Sequence, residues 1–120
     1  MFQSRSLQAT ALAVAATLAV AGAAQAHAHL VTSSPAANAT GPSPSTIELK
    51  LSEAPLAKFS GVQLMAGSHA VSVKTVASAD KDMLVVAPGS PLKAGAYTVK
   101  WHAVTADTHR SQGAFSFTVR

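Results

Sequence analysis

The apolar and polar positions of this chain alternate one by one in several stretches. Residues 47–51, with the sequence IELKL, are a clear short case, and residues 96–104, with the sequence AYTVKWHAV, are a longer one. Side chains of a β-strand point alternately to its two faces, so this period of two predicts strands with one buried face. Residues 115–119, with the sequence FSFTV, repeat the pattern at the end of the chain.

Shorter apolar stretches, separated by turn residues, predict the remaining strands. Val62 and Leu64 mark one of them, and Val71 and Val73 continue the pattern on the far side of a Gly-Ser turn. The proline-rich residues 41–45 predict a loop, because proline cannot donate a hydrogen bond to a sheet. Roughly six or seven short strands with regular turns, and no convincing helix after the leader, predict an all-β fold, an antiparallel sandwich or barrel.

The aromatic residues fall on the apolar sides of these strands. Tyr97 and Trp101 share one face of the long stretch, and Phe115 and Phe117 alternate with polar residues in the last stretch. Aromatic rings bury large apolar surfaces, so we expect these residues to build the core. His102 lies on the opposite face of its strand from Trp101, and we expect it to be exposed.

The first residues of the chain have the pattern of a secretory leader. Arg5 supplies a positive charge, residues 11–24 are uncharged and mostly apolar, and Ala24-Gln25-Ala26 has the small-x-small form of a cleavage site. This pattern predicts a signal peptide at residues 1–26 and a mature domain at residues 27–120. An uncleaved membrane anchor is the alternative.

The composition of the chain excludes several kinds of function. There is no cysteine, which excludes disulfides, thiolate zinc sites and a blue-copper centre with its cysteine ligand. Nine Lys and Arg residues against five Asp and Glu residues give a formal net charge of +4. The charges are scattered singly, with no basic run and no interleaved aromatic residues, so no nucleic-acid binding is expected.

His27 is the most informative residue of the chain. Cleavage after Ala26 would free its α-amine, and the amine and the imidazole could then close a chelate ring on one metal ion. The amine titrates at about pH 7.7–8.0, so its deprotonation near neutrality costs little. A cut after Ala28 would expose His29 instead, and this alternative stays open.

Asp107 and His109 form a second group of possible ligands. They lie between the long predicted strand and the last one, two positions apart. Residues two apart in an extended chain point the same way, so both side chains could face one ion. Cu(II) prefers tetragonal sets of nitrogen and oxygen donors. Together with His27, these residues predict a copper(II) site.

Four groups of segments along the mature chain form a recognisable set. They are His27-Ala28-His29-Leu30 with Ser34-Pro35; Leu51-Ser52-Glu53 with Phe59-Ser60-Gly61; Pro91-Leu92 with Ala94-Gly95 and Tyr97; and Trp101-His102-Ala103-Val104 with Asp107-Thr108-His109 and Phe115-Ser116-Phe117. With these segments in this order, the chain resembles the CopC-type periplasmic copper-binding proteins of copper resistance and homeostasis. The N-terminal histidine and the last group are the most specific part of the match.

The resemblance implies an Ig- or cupredoxin-like Greek-key β-sandwich of about seven strands that binds one Cu(II) per chain. It places His27 on the copper through amine and imidazole, His109 through imidazole and Asp107 through carboxylate. Glu53 matches an acidic residue near the copper of the family. We expect Glu53 to orient a copper ligand, although it could simply cap a turn.

The resemblance also implies how the copper is used. The protein would be a periplasmic Cu(II) carrier or buffer, a monomer that exchanges copper with an inner-membrane copper-transport partner. Some family members bind Cu(I) in a methionine-rich segment, where this chain has only Met65 and His69. No strong Cu(I) site is therefore expected, and Met65 and Met83 are expected to fill the core.

Two other functions compete with the carrier. A histidine brace also serves copper monooxygenases, but an aspartate ligand would occupy a position that oxygen needs. The chain is also short for the broad substrate surface of a polysaccharide oxidase, so no enzymatic activity is expected. The third possibility is a structural or adhesion sandwich in which the histidines are incidental.

Overall fold

The computed structural model describes residues 28–120, and the predicted leader and His27 lie outside this range. The described chain forms nine β-strands and one short 3₁₀ turn. They are β1 Leu30–Ser34, β2 Thr40–Gly41, β3 Ile47–Leu51, the turn Ala57–Phe59, β4 Gly61–Ala66, β5 His69–Val71, β6 Val73–Thr75, β7 Met83–Pro88, β8 Gly95–Val104 and β9 Arg110–Val119. Within the described range, no helix is long and apolar enough to span a bilayer.

The strands form two sheets that pack face to face. One sheet has four strands in the order β1-β3-β7-β6, and the other has five in the order β2-β9-β8-β4-β5. All neighbours pair antiparallel except the short β2, which pairs parallel with β9. The chain crosses repeatedly from one sheet to the other, as in a Greek key. The predicted all-β sandwich is confirmed.

The number of strands exceeds the prediction of about seven, for two local reasons. β2 consists of only two residues, too few to produce an alternating pattern. Val71 and Val73, which share one pattern in the sequence, belong to β5 and β6 in different sheets. The carbonyl of Ser72 between them accepts a hydrogen bond from the Gly89 amide at 3.0 Å. Both valines still pack against the core, so a corner between sheets has the same pattern as a strand.

The core lies between the two sheets and is built from the predicted apolar positions. β3 contributes Ile47, Leu49 and Leu51, and the opposite sheet contributes Leu64 and Val99, all fully buried. The charged residues between those of β3 lie on the other face of the strand, as the period of two requires. The core therefore holds the two sheets together through the strands that the alternating pattern identifies.

The aromatic side chains extend this core along β8 and β9. Tyr97, Trp101 and Phe117 are buried, and Phe115 packs against the core from a half-buried position. The rings of Tyr97 and Phe117 stack with their centroids 5.6 Å apart. A Cβ at Gly113 would lie 2.9 Å from three atoms of the Trp101 indole, so the ring occupies the space that a side chain would need there. The predicted aromatic core is confirmed.

Three side chains depart from their expected exposure. Met65 and Met83 are half-buried and lie outside the main core cluster, so the prediction that they fill the core is wrong. Met65 neighbours the buried Leu64 in β4 and therefore points to the outer face. His102 is half-buried instead of exposed, because its ring lies over Gly61, where a Cβ would come within 3.2 Å of its Cε1 atom.

Candidate metal site

The described residues next to His27 and the turn that carries Asp107 and His109 lie at the same end of the sandwich. β1 begins there opposite the end of β3, and β4 begins there opposite the end of β8. Two connections close this end: residues 52–60, which pass from one sheet to the other, and residues 105–109, which join β8 to β9. We call this end of the molecule the ligand end.

The N-terminal part of the described chain is fixed at the ligand end by two hydrogen bonds. The amide of His29 donates to Oγ of Ser52, and the amide of Ser52 donates to the carbonyl of His29, both at 2.9 Å. Ala28, the residue before them, is only 4% exposed. The path by which the chain enters β1 is therefore determined by backbone contacts and burial.

Residues 52–60 connect this N-terminal part to the end of β8. The amide of Leu56 donates to the carbonyl of Val104 at 2.8 Å, and the amide of Val104 donates to Oγ of Ser60 at 3.0 Å. Leu56 and Ser60, the two residues that form these bonds with Val104, both lie in the connection that begins at Ser52. The residue before β1 and the last residue of β8 are thus both hydrogen-bonded to the connection at residues 52–60.

The turn at residues 105–109 has a defined backbone. The amide of Thr105 donates to the carbonyl of His109 at 3.1 Å, and the amide of Thr108 donates to the carbonyl of Thr105 at 2.9 Å. Thr108 has a φ of 65°, a left-handed conformation that is uncommon for a residue other than glycine. Closing the turn in this way brings the side chains of Asp107 and His109 together.

Asp107 and His109 are in direct contact. Oδ2 of Asp107 lies 2.8 Å from Nδ1 of His109, and the hydroxyl of Thr105 donates to Oδ1 of Asp107. The side chains of Asp107 and His109 are each about half exposed, whereas Thr105 is only 3% exposed. A buried hydroxyl therefore holds one oxygen of the carboxylate while the other faces the imidazole.

The hydrogen bonds also fix the charge of Asp107. They lower its pKa from 3.8 to about 2, chiefly through the Thr105 hydroxyl and next through His109. Hydrogen bonds that favour the ionised form lower a carboxyl pKa. Asp107 is consequently an anion at any pH at which an imidazole can bind a metal.

Thr105 is the residue of the turn that the sequence did not single out. Threonine hydroxyls often bond to neighbouring backbone groups in turns, but here the hydroxyl of Thr105 donates to the side chain of Asp107. The sequence alone therefore offered no specific signal for this contact. Thr105 acts here through Asp107, because its hydroxyl bonds to Oδ1 of the carboxylate and lowers the pKa of Asp107.

The described residues supply only part of the predicted ligand set. No group of three His, Asp or Glu side chains suited to a metal ion occurs within residues 28–120. Glu53 is exposed in the connection at the ligand end, next to Ser52. His69 lies at the first position of β5, paired with Ala66 at the far end of β4. His27, the key residue of the prediction, lies outside the described residues.

The Asp107–His109 pair fits a metal ion in kind and in spacing. It combines an imidazole nitrogen with a carboxylate oxygen, both suitable for Cu(II). Two donors that each lie about 2.0 Å from one ion, at right angles, are about 2.8 Å apart. The observed separation of 2.8 Å is therefore compatible with two adjacent ligand positions, and equally with a plain hydrogen bond.

The comparisons with known proteins identify the family of the chain. The model of the CopC domain matches residues 30–120. The chain belongs to the CopC family. Copper resistance protein C from Xanthomonas campestris pv. juglandis is 42% identical to this CopC-family chain over 96 residues, 73% of this chain and 76% of that protein. Protein YobA from Escherichia coli strain K12 is 38% identical over 91 residues, 72% of this chain and 73% of that protein.

Solved structures of CopC-family proteins have the same fold. PcoC, a methionine-rich copper resistance protein from Escherichia coli, superposes with a TM-score of 0.73 at 42% identity, covering 79% of this chain and 100% of that one. CopC from Methylosinus trichosporium OB3b superposes with a TM-score of 0.71 at 27% identity, covering 78% of this chain and 93% of that one. The predicted family is confirmed.

Proposed function

We propose that this CopC-family protein is a periplasmic Cu(II)-binding protein that carries or buffers copper in copper resistance or homeostasis. One Cu(II) is held by the amine and imidazole of His27, the imidazole of His109 and the carboxylate of Asp107. The observation that carries the proposal is the Asp107–His109 pair, ordered by Thr105 at the end of the sandwich where β1 begins. The names of the copper resistance relatives support the choice of metal.

The fixed position of the N-terminal segment supports the part assigned to His27. Ala28 is buried, and both backbone groups of His29 are bonded to Ser52. Consecutive Cα atoms are about 3.8 Å apart, so Ala28 brings the point of attachment of His27 to the ligand end. In this proposal the signal peptide directs the protein to the periplasm and ends at Ala26. Its removal frees the α-amine of His27, which then serves as a copper ligand.

For Asp107 we propose direct binding, with copper taking the place of the proton between Oδ2 and Nδ1 of His109. The competing arrangement keeps that hydrogen bond, binds copper through Nε2 of His109, and leaves Asp107 to fix the ring. Carboxylates that bond to the second nitrogen of a metal-bound histidine are common in metal sites. Both arrangements use the same two residues, and the visible absorption spectrum of bound Cu(II) in Asp107→Asn separates them.

The remaining parts of the proposal concern selectivity and partners. Glu53 orients a ligand from the adjacent connection, and Met65 with His69 provides too few soft donors for a strong Cu(I) site. The protein acts as a monomer and exchanges copper with an inner-membrane copper-transport partner. It performs no catalysis, so copper-loaded protein with ascorbate should show no sustained oxygen consumption, and substrate-dependent turnover would contradict a carrier.

The decisive experiment is a competitive Cu(II) titration of two forms of the exported protein. One form begins at His27, as verified by intact mass, and the other carries one additional glycine before His27. The additional residue leaves every side chain in place but moves the free amine away from the His27 imidazole. We expect the affinity to fall by orders of magnitude, because the chelate ring loses one donor.

A matched control separates the brace from a general effect of the terminus. His29→Ala, two positions along, changes a neighbouring imidazole without changing the amine of His27, and we expect a loss below about threefold, under about 0.7 kcal/mol. Equal affinity of the two starting forms would show that the amine does not bind copper. A large loss in His29→Ala with cleavage found after Ala28 would transfer the brace to His29.

A further inference from the structure

The two sheets differ by one acidic residue, since the strands of the four-stranded sheet contain Glu48 and those of the five-stranded sheet contain none. None of the five strands β2, β4, β5, β8 and β9 contains an aspartate or a glutamate. Their outer face presents Lys100 and Arg110, with His102 between them. The four-stranded sheet, in contrast, places Glu48 beside Lys50 in β3. The strands of the five-stranded sheet therefore place basic side chains on its outer face and contribute no carboxylate to pair with them.

This outer face contains a trough of about 730 Å³ over the three strands β4, β8 and β9. Its rows follow the sheet register: Gly61, His102 and Gln112 are paired neighbours, and so are Gln63, Lys100 and Ala114. Gly61 and Ala114 have little or no side chain, so the longer side chains around them form walls. All the residues that line the trough belong to these three strands, so the trough does not depend on a loop.

The cations of the trough are available to a partner. Neither Lys100 nor Arg110 takes part in an ion pair within residues 28–120, and both are exposed. By comparison, Lys50 on the other sheet lies 3.9 Å from a carboxylate oxygen of Asp82. Gln63 and Gln112 add exposed amide groups that can donate hydrogen bonds to carboxylate or carbonyl oxygens.

The spacing of the cations indicates the size of the partner. Lys100 lies opposite Ala114 and Arg110 lies opposite Val104, so their backbone positions are about 13 Å apart along the strands. The His102–Gln112 row lies between them. To contact one small anion, the side chains of Lys100 and Arg110 would both have to bend over the His102–Gln112 row. A chain with two carboxylates about four residues apart in extended form matches the separation directly.

We propose that this trough is a docking site for an acidic segment of a partner protein, with carboxylates that pair with Lys100 and Arg110. The site adjoins the ligand end, because Arg110 directly follows His109 and opens β9. A partner held here is positioned beside the Asp107–His109 pair. The docking itself requires no copper, so it can be measured on metal-free protein. The docking proposal is therefore tested independently of the proposed copper site.

The test uses a fluorescent Gly-Ser peptide with two glutamates four positions apart, and a matched peptide with glutamines in their place. Binding to the exported, metal-free protein is followed by fluorescence anisotropy and by amide shifts in NMR spectra. We expect the glutamate peptide to bind, to shift the amides of Gln63, His102 and Gln112, and to be released as salt rises from about 0.05 to about 0.3 M.

Two double variants with the same change of net charge decide the location. Lys100→Gln with Arg110→Gln should weaken peptide binding at least tenfold, whereas Lys74→Gln with Lys81→Gln, away from the trough, should change it less than twofold. Thermal unfolding of each variant verifies that it is folded. Equal losses in the two variants, equal binding of the glutamine peptide, or preferential binding of inorganic phosphate or of anionic lipid vesicles would each overturn the proposal.

Discussion

The β8–β9 ladder and the turn that joins its strands are built on different principles. The ladder pairs residue with residue from Gly95 and Val119 at one end to Val104 and Arg110 at the other, and its inner face is almost entirely apolar. The turn depends on a few polar contacts among Thr105, Asp107 and His109. The ladder therefore determines where the turn lies, and the turn brings together two side chains of the proposed copper site. Changes in the two regions should have separable effects.

His109→Ala should produce the largest effect on copper binding. The variant loses one nitrogen donor, and we expect the Cu(II) affinity to fall by orders of magnitude in a competitive titration. Because the His109 side chain is about half exposed, the free energy of unfolding of the metal-free protein should change little. His69→Ala, at the opposite end of the sheet, is the control. A loss below tenfold, about 1.4 kcal/mol, would remove His109 from the ligand set.

Gly113→Ala should have the opposite effect, a loss of stability with little change in copper affinity. The added methyl group would meet the Trp101 indole at 2.9 Å, and overpacking a core of this kind costs about 1–3 kcal/mol. Urea unfolding of the metal-free protein should show this loss, while the folded variant keeps its copper affinity. Gly41→Ala is the matched control, because a Cβ there meets nothing within 4 Å. Unchanged stability of Gly113→Ala would show that the indole can move aside.

Asp107→Asn distinguishes a copper ligand from a positioning residue. The amide keeps the size of the side chain but replaces an anionic oxygen donor with a weak neutral one. If Asp107 binds directly, as we propose, the visible absorption band of bound Cu(II) should shift and the affinity should fall at least tenfold. An unshifted band with a smaller loss would assign Asp107 to the orientation of the His109 ring.

Thr105→Val should have the smallest effect and concerns the titration of Asp107. The pKa of Asp107 is lowered to about 2 chiefly by the Thr105 hydroxyl, so the variant should raise it towards 3.8. In the wild type, the ionised carboxylate stabilises the fold above its unfolded-state pKa, and this contribution is lost as the pH falls through about 2. NMR titration of the Asp107 carboxyl carbon measures the change. An unaltered pKa would contradict the assigned role of Thr105.

Much of the sandwich was predictable from the sequence, because the alternation of apolar and polar residues recurs in several strands. In residues 47–51 and 96–104, every second side chain is apolar, and those side chains are the ones that the sandwich buries. The corner at Ser72 was not predictable, since Val71 and Val73 face the core whether the chain continues straight or changes sheets. An alternating pattern predicts which face of a strand is buried, but it does not predict with which strand that strand pairs.

The turn was predictable only in part, because it depends on individual side-chain contacts that produce no repeated pattern in the sequence. The two-residue spacing of Asp107 and His109 indicated that they could face one ion, and the structure does bring the two side chains together. The contribution of Thr105 needs the backbone of the turn, including the left-handed Thr108. His102 was misplaced for a related reason, because its exposure depends on the absence of a side chain at Gly61 on the neighbouring strand.

The direction of β9 has a practical consequence. This strand leaves the turn at Arg110 and ends at Val119, paired with Gly95 at the far end of the ladder, about 30 Å away at 3.3 Å per residue. The Arg120 amide is bonded to the carbonyl of Gly41 at 3.0 Å. A tether attached beyond Arg120 would orient the molecule on an electrode or bead with His109 facing the solution. Immobilised in this way, the domain could serve as a copper sensor, whereas attachment at the other terminus would block the amine on which the proposed site depends.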